Sequence, residues 1–449
     1  MHLSQDPLHR RRRAFVGGLF IALLLAMSLT ACLSMNGGGD DQSAAGSEAG
    51  ETTEAGSDDA QRSEGSSEAG SEEQGGDSEQ RTQGAQRGGD EDSEKGTSTS
   101  QGVILKPPAD PSAQTTMEKV DYVTGEITPK SVVASGAGLV IANNMMYRHT
   151  STVYDSRSHE LLKTLDDGLD LSEFDLTGHP GVSSGAPVEA AWTKDGRYAY
   201  VSQYTMYGEG FGKEGFDDCT PADGVGGSLL YRFDAEEMDW DQVIEVGAVP
   251  KFVDITPDQS RIIVSNWCDS TISVVDRKSA KQTKEIPIAA APRGIEVMPD
   301  NRTAYVAAMY ADKLFKIDLK TGDSEVMMET ARKPRHLNLS DDGAYLYMAV
   351  SGADTIYKID TKTEEIVDEV VSGREPRSMS LSSDGTALYV VNYYEPSVAK
   401  IGTQDMTVLQ KEPTDANPIG LTYDPVTHEV WVACYGGSLY VFDDQPDAP

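Results

Sequence analysis

Five prolines recur at intervals of 42 residues, and this spacing constrains the fold more than any other feature of the chain. They are Pro250, Pro292, Pro334, Pro376 and Pro418. Two of them open closely similar phrases, PRGIEVMPDNRTAYVAAMYADKLFKID and PRHLNLSDDGAYLYMAVSGADTIYKID. A fixed period of this length is typical of a stacked or circular array of one structural unit. Because the repeats build a scaffold, we expect functional residues where one unit departs from the others.

Each unit reads as four short strands. Two looser copies begin at Pro129 and Pro187, which brings the units to seven. Stretches rich in alternating and β-branched residues are separated by turns such as Ser382–Gly385, and no long stretch has the 3.6-residue period of a helix. The sequence therefore predicts an all-β fold, a seven-bladed β-propeller of four-stranded blades.

The two ends of the repeat array complement each other. The last unit ends near Asp443, after its third strand, and so lacks a fourth. The stretch Glu118–Gly125 resembles Glu365–Ser372, the fourth strand that precedes Pro376. We therefore expect an N-terminal strand to complete the last blade and close the ring, which removes the open sheet edges.

The motifs YVVN at 389–392 and YVAA at 305–308 resemble the YVTN-type β-propeller repeat. The resemblance covers essentially all of 117–449 and implies the propeller fold. Propellers related to this type include surface-layer proteins, lactonase-like enzymes and redox propellers with haem or copper, so no single activity is implied. The first blade departs from the pattern, because its turn Ser135–Gly138 lacks the usual Asp.

The N-terminal residues have the features of an export signal. Arg10–Arg13 form a basic segment, and an apolar stretch from Ala14 to about Thr30 follows it. The sequence Leu-Thr-Ala-Cys at 29–32 resembles a bacterial lipobox. We therefore predict a signal peptide over 1–31 and an acylated Cys32, the alternative being an uncleaved membrane anchor. Either arrangement places the protein in the bacterial cell envelope, outside the cytoplasm.

Residues 32–116 form a segment of low complexity after the predicted acylation site. Positions 33–116 carry 18 acidic and 5 basic residues and almost no large apolar ones. Such a composition cannot bury enough apolar surface to offset its ordering entropy, so we predict a disordered, self-repelling tether. Of the total charge of −35, the remaining 117–449 carries −25, which argues against nucleic acid as a partner.

The departures from the repeat gather on one face. In a four-stranded blade, the loop between strands two and three lies on the same face as the connection to the next blade, and we call this the top face. Extra residues occur at Tyr204–Gly227 and at Asp166–Gly185, both on or near this face. Long additions to an architecture of short loops are commonly functional.

The position after each repeat proline is basic in five of the seven units. These residues are Lys130, Lys251, Arg293, Arg335 and Arg377. In an acidic domain they predict a positive ring at the channel mouth that binds an anion. The alternative is a structural role, in which each side chain pairs with an acid of a neighbouring blade or packs its stem.

Polar and aromatic residues of the top face accompany this ring and predict a ligand pocket. They are Asn143, Gln203, Asn266, Trp267, His336, Asn392, Tyr393 and Tyr435. Each Asn alternatively caps the end of a strand.

The cysteines and histidines support two further hypotheses. Cys219 and Cys268 fall in equivalent loops of adjacent blades, so a disulfide is plausible in an oxidising compartment. His149, His179 and His336 all map to the top face and are weak candidates for a metal or haem site. No pair of them has local ligand spacing, and we predict no cofactor.

Two functions remain open. No nucleophile elbow, phosphate loop or zinc-protease motif occurs. The first function is a monomeric, lipid-anchored scaffold whose top face binds a protein or a small anion. The second is a lactonase-like or redox enzyme that uses the same pocket.

Overall fold

The computed structural model describes residues Thr116–Asp444. The predicted signal peptide, Cys32 and the tether up to residue 115 lie outside the described residues. Among residues 116–444, no helix has the length and apolar character needed to span a bilayer.

Seven antiparallel sheets follow one another as the blades of a ring, which confirms the predicted seven-bladed propeller. Blade one contains β2 (Ser131–Ala134), β3 (Leu139–Asn144), β4 (Thr150–Asp155) and β5 (Leu161–Asp166), and blade two contains β6 (Gly168–Asp170), β7 (Val182–Trp192), β8 (Tyr198–Tyr207), β9 (Ser228–Asp234) and β10 (Asp239–Val246). Blade three contains β11 (Pro250–Ile255), β12 (Arg261–Asn266), β13 (Thr271–Asp276) and β14 (Lys281–Pro287), and blade four contains β15 (Pro292–Val297), β16 (Thr303–Ala308), β17 (Lys313–Asp318) and β18 (Ser324–Glu329).

The remaining blades repeat this order. Blade five contains β19 (Pro334–Leu339), β20 (Tyr345–Val350), β21 (Thr355–Asp360) and β22 (Glu365–Val371), and blade six contains β23 (Pro376–Leu381), β24 (Ala387–Asn392), β25 (Ser397–Gly402) and β26 (Thr407–Pro413). Blade seven contains β27 (Pro418–Asp424), β28 (Glu429–Cys434), β29 (Ser438–Asp443) and the N-terminal β1 (Glu118–Thr124). Short 3₁₀ turns lie at Leu171–Phe174, Pro221–Asp223 and Ser351–Ala353.

Burial follows the position of a strand within its blade. The second strand of blade six, β24, is buried along its whole length, whereas the outermost strand of blade five, β22, is mostly exposed. The repeated Asp of the first turn is structural, as predicted. In blade three the Asp258 carboxylate accepts hydrogen bonds from the Thr256 hydroxyl at 2.6 Å and the Ser260 amide at 3.0 Å. These bonds hold the tight turn between β11 and β12.

Both apolar and polar contacts join neighbouring blades. Tyr347 of β20 packs with Met379 of β23 in one buried cluster between blades five and six. In addition, the fifth residue of an innermost strand accepts a backbone N–H bond from the next blade. Asp254 Oδ2 accepts from Val297 at 3.1 Å, and Thr422 Oγ1 accepts from Ala134 at 3.2 Å. The second of these bonds joins blade seven to blade one.

The closure of the ring by the N-terminal strand is confirmed. Strand β1 pairs antiparallel with β29, with Glu118 opposite Asp443 and Thr124 opposite Ser438. Blade seven is therefore built from both ends of the propeller.

Blade two departs from the other blades. It carries one additional short strand, β6, which pairs with the beginning of an unusually long β7. The extra residues of Asp166–Gly185 form this strand and the 3₁₀ turn after it. The second insertion lies between β8 and β9, and its Lys213 and Val225 form an isolated bridge.

Candidate functional site

A cavity of about 600 Å³ opens at the top face, where the innermost strands begin. All five predicted basic residues line it. Lys130, Lys251, Arg293 and Arg335 are buried, with 4–7% of each residue exposed. The repeat explains their convergence, because each follows the repeat proline that lies at or just before the start of the innermost strand of its blade.

Two of the five cations have acidic partners. Lys251 Nζ lies 2.8 Å from a carboxylate oxygen of Asp217, which belongs to the insertion of blade two, and 4.2 Å from the ring centre of Tyr204. Arg377 binds Glu375, with Nε 2.9 Å from Oε1, and its guanidinium lies 3.3 Å from the ring centre of Tyr393.

The other three cations lack such partners within the described chain. Lys130 Nζ and Arg335 Nε are buried without a hydrogen-bond acceptor. Arg293 forms no ion pair with any residue of 116–444, although the buried Glu189 lies near enough to act on its charge. Basic residues therefore outnumber acidic ones in the wall of the cavity.

The pKa values of the ring reflect this environment. Burial lowers the pKa of Lys130 well below its usual value, and the charge of Arg293 lowers it further. Burial also lowers the pKa of Lys251 to about 8, against the opposing effect of Asp217. Burial and then Arg293 lower the pKa of Arg335. A protein site that disfavours its own positive charges in this way is prepared for a negative ligand.

The wall of the cavity comes from a second repeat position, 17 residues after the proline. Trp267, Met309, Tyr393 and Tyr435 occupy it in blades three, four, six and seven. Sequence reasoning identified the aromatic members but missed Met309, together with Asp217, Glu375, Lys333 and the first-blade residues Met145, Met146 and Tyr147. For Met309 the signal was present, because the repeat places it in register with Trp267 and Tyr393.

The predicted asparagines do not line the cavity. Asn143 donates to Ser131 Oγ at 2.9 Å and accepts from Ser151 Oγ at 2.8 Å. Asn266 donates to Ser273 Oγ at 2.8 Å, and Asn392 accepts from Ser372 Oγ at 2.9 Å. These amides hold the ends of strands, which is the alternative given above.

Gln203 and His336 are also absent from the cavity wall. Gln203 is fully buried inside blade two. The His336 ring packs edge-on against Phe252 at 5.2 Å between ring centres. Burial, and then Arg293 and Arg335, lower the pKa of His336 to about 3, so its imidazole is neutral at physiological pH.

The three candidate metal ligands contact different aromatic rings. His149 stacks on Tyr207 at 5.6 Å and His179 on Phe211 at 4.0 Å between ring centres. Within residues 116–444, no three His, Cys, Asp or Glu side chains come close enough to hold a metal ion.

The cysteines of blades two and three form a disulfide. Cys219 and Cys268 are joined with their Cα atoms 5.1 Å apart, and Cys434 is free and buried. The bond lies beside Trp267, whose indole N–H donates to the Asp217 carbonyl at 2.9 Å. These two contacts fix the insertion where the Asp217 carboxylate reaches Lys251.

Comparisons with known proteins give a family match for the central blades. Residues 248–403 match the model of the YNCE-like beta-propeller family. Together with the seven blades, this match confirms the resemblance to the YVTN-type propellers. No curated protein matches the chain.

The solved structures show the same architecture in distant proteins. A chain described as Kuenenia stuttgartiensis Hydrazine Synthase superposes with a TM-score of 0.54 at 17% identity, covering 71% of this chain and 96% of that chain. This likeness shows the fold alone.

Proposed function

We propose that the channel mouth binds a small anionic ligand, and that a lipid anchor at Cys32 presents this site outside the cytoplasm. The unpaired buried side chains of Lys130, Arg293 and Arg335 carry the proposal. Burying a cation without a counterion is strongly unfavourable, and an anion in the cavity removes that penalty for the two guanidinium groups. A structural role through ion pairs predicts an acidic partner for each cation, and within residues 116–444 only Lys251 and Arg377 of the ring have one.

The side chains that line the cavity also favour a particular class of anionic ligand. Guanidinium groups match the geometry of carboxylate and phosphate oxygens. The excess of basic over acidic residues in the wall favours an anion over a neutral ligand. Trp267, Met309, Tyr393 and Tyr435 offer an apolar wall for the rest of the ligand.

The location outside the cytoplasm rests on other observations. The lipobox-like sequence at 29–32 and the acidic tether support it. The Cys219–Cys268 disulfide is also what an oxidising compartment favours. The likeness to the hydrazine synthase chain is one of fold and brings no redox activity to this protein.

Thermal unfolding and titration calorimetry of the full chain with inorganic phosphate, citrate and benzoate test the binding. A ligand at about 100 times its Kd adds about 2.7 kcal/mol to the free energy of unfolding. We expect at least one anion to stabilise the wild type but not the Arg293→Gln/Arg335→Gln variant.

The matched control is Arg302→Gln. Arg302 is exposed and bound to Asp318 in blade four, outside the cavity wall. This variant should bind as the wild type does. Equal binding by the double variant, or no stabilisation of the wild type by any anion, would refute the proposal. The second result would favour a macromolecular partner for the top face.

A further inference from the structure

Lys130 differs from the other basic residues of the cavity. Its Nζ has no hydrogen-bond partner and no carboxylate within ion-pair distance among the described residues, and only 4% of the residue is exposed. By contrast, Lys251 is held by Asp217. The arginines cannot lose their proton in a protein, so Lys130 is the one unpaired group of the ring able to become a neutral nucleophile.

The surroundings of Lys130 favour its neutral form. Burial has the largest effect on its pKa, and the positive charges of Arg293, Arg335 and Lys251 act in the same direction. Glu189 opposes them but forms no ion pair with the amine. Desolvation and neighbouring cations are the two means by which proteins activate a lysine for attack on a carbonyl group.

We infer that Lys130 forms an imine with an anionic aldehyde or 2-oxo acid held in the cavity. This inference rests on the proposed anion binding and adds to it the chemical class of the ligand. Arg293 and Arg335 bind the carboxylate or phosphate, and the amine reacts with the carbonyl group of the same molecule. Since Nζ is covered, the flexible four-carbon stem of Lys130 rotates toward the cavity for the reaction.

The reaction needs no other reagent. The Nζ lone pair attacks the carbonyl carbon, the electrons of the C=O double bond move to oxygen, and one amine proton is transferred to that oxygen. The nitrogen lone pair of the resulting carbinolamine then forms the C=N bond as the C–O bond breaks, and the remaining N–H proton passes to the departing hydroxyl group to give water. One amine and one carbonyl give one imine and one water, with no oxidation or reduction.

The test is reductive trapping with glyoxylate, an aldehyde that carries a carboxylate. The full chain is incubated with glyoxylate and cyanoborohydride, which reduces an imine to a stable secondary amine, and the modified lysines are mapped by peptide mass spectrometry. At about pH 7 we expect Lys130 to be labelled at least ~10 times faster than the exposed Lys194 and Lys278, because one pKa unit changes the neutral fraction tenfold. The preference should increase at lower pH.

Three comparisons separate site chemistry from general lysine reactivity. Glycolate, which has no carbonyl to attack, should slow labelling of Lys130 and leave Lys194 unchanged. Acetaldehyde, which has no charge, should show a smaller preference for Lys130 than glyoxylate does, because it gains only from the larger neutral fraction of that amine. Arg335→Gln should slow labelling of Lys130, whereas Arg302→Gln should not.

Phosphate binding measured on the same sample distinguishes the two proposals. If phosphate binds but Lys130 is labelled no faster than Lys194 and Lys278, the imine is refuted and anion binding stands. If phosphate and citrate fail to bind and Lys130 is labelled no faster, both are refuted. Fast labelling that glycolate does not slow would also overturn the inference, since the reaction would then not depend on the site.

Discussion

A single buried ion pair connects the end of the propeller to blade six. Lys400 Nζ of β25 lies 2.6 Å from Asp444 Oδ1, and both side chains are fully buried. The other oxygen of Asp444 accepts a hydrogen bond from the Tyr389 hydroxyl of β24. Because Asp444 directly follows β29, these contacts hold the last strand of blade seven against its neighbour.

Removing one partner of this pair should be far more costly than breaking a surface pair in the same blade. We expect Asp444→Ala to lower the free energy of unfolding by about 3–5 kcal/mol, because it removes the carboxylate that binds the buried ammonium group of Lys400. Lys411→Ala, which breaks the half-exposed pair with Glu395, should cost about 1 kcal/mol or less. Denaturant unfolding measures both values, and similar losses would contradict the structural role of Asp444.

The residues that sequence reasoning could place were those with a fixed position in the repeat. Lys130, Arg293 and Arg335 follow a proline, so their convergence was predictable. Asp217 has no such register, because it belongs to an insertion found in one blade. Asn266 does have a fixed position in the repeat, but its role depends on hydrogen bonds to the neighbouring strand, which the sequence alone does not reveal.

At the scale of the structural elements, a histidine binds acidic residues at the seam between β1 and β29. His159, in the turn between β4 and β5 of blade one, reaches into blade seven. Its Nδ1 lies 2.8 Å from Asp121 of β1, and its Nε2 lies 3.2 Å from Glu429 of β28. One imidazole thus joins the N-terminal strand, the blade it completes and the next blade.

The seam should be more stable at acidic than at alkaline pH. The hydrogen bond to Glu429 has the largest effect on the pKa of His159 and raises it, and Asp121 adds to the increase. A raised folded-state pKa means that the stabilisation is complete below the unfolded pKa of about 6.5 and is lost as the pH rises through the folded value. The stability difference between wild type and His159→Gln should therefore be larger at about pH 6 than at about pH 9. His149→Gln is the comparison, because burial lowers the pKa of His149 and its stability difference from wild type should therefore be smaller at about pH 6 than at about pH 9. A difference independent of pH would contradict the role of His159.

The predictability of the elements follows the repeat as well. Strands such as β16 and β24 have counterparts 42 residues away, so each supports the assignment of the others. Strand β6 and the extended beginning of β7 have no counterpart in the other blades, because they arise from the extra residues of blade two. Their short pairing depends on tertiary contacts, for which local sequence is a weak guide.

At the scale of the whole molecule, the closed ring turns small differences between blades into one site. Five blades contribute one residue each to the basic ring and four contribute one each to the wall, and the blade-two insertion adds Asp217 beside Lys251. The disulfide between Cys219 and Cys268 fixes that insertion. An oxidising compartment favours this disulfide, which supports the proposed export of the propeller from the cytoplasm.

Cysteine chemistry in the producing cell tests this arrangement. We expect wild-type protein to fractionate with membranes and to incorporate an alkyne-tagged palmitate, whereas Cys32→Ser should incorporate none. Both proteins are then alkylated under denaturing but non-reducing conditions. Cys219 and Cys268 should stay unmodified and Cys434 should be modified. A compartment that oxidises thiols forms the disulfide whether or not the chain is acylated. Palmitate incorporation by Cys32→Ser would show that acylation occurs at another residue. Reduced Cys219 and Cys268 in freshly prepared wild-type protein would place the propeller in a reducing compartment and contradict the proposed export.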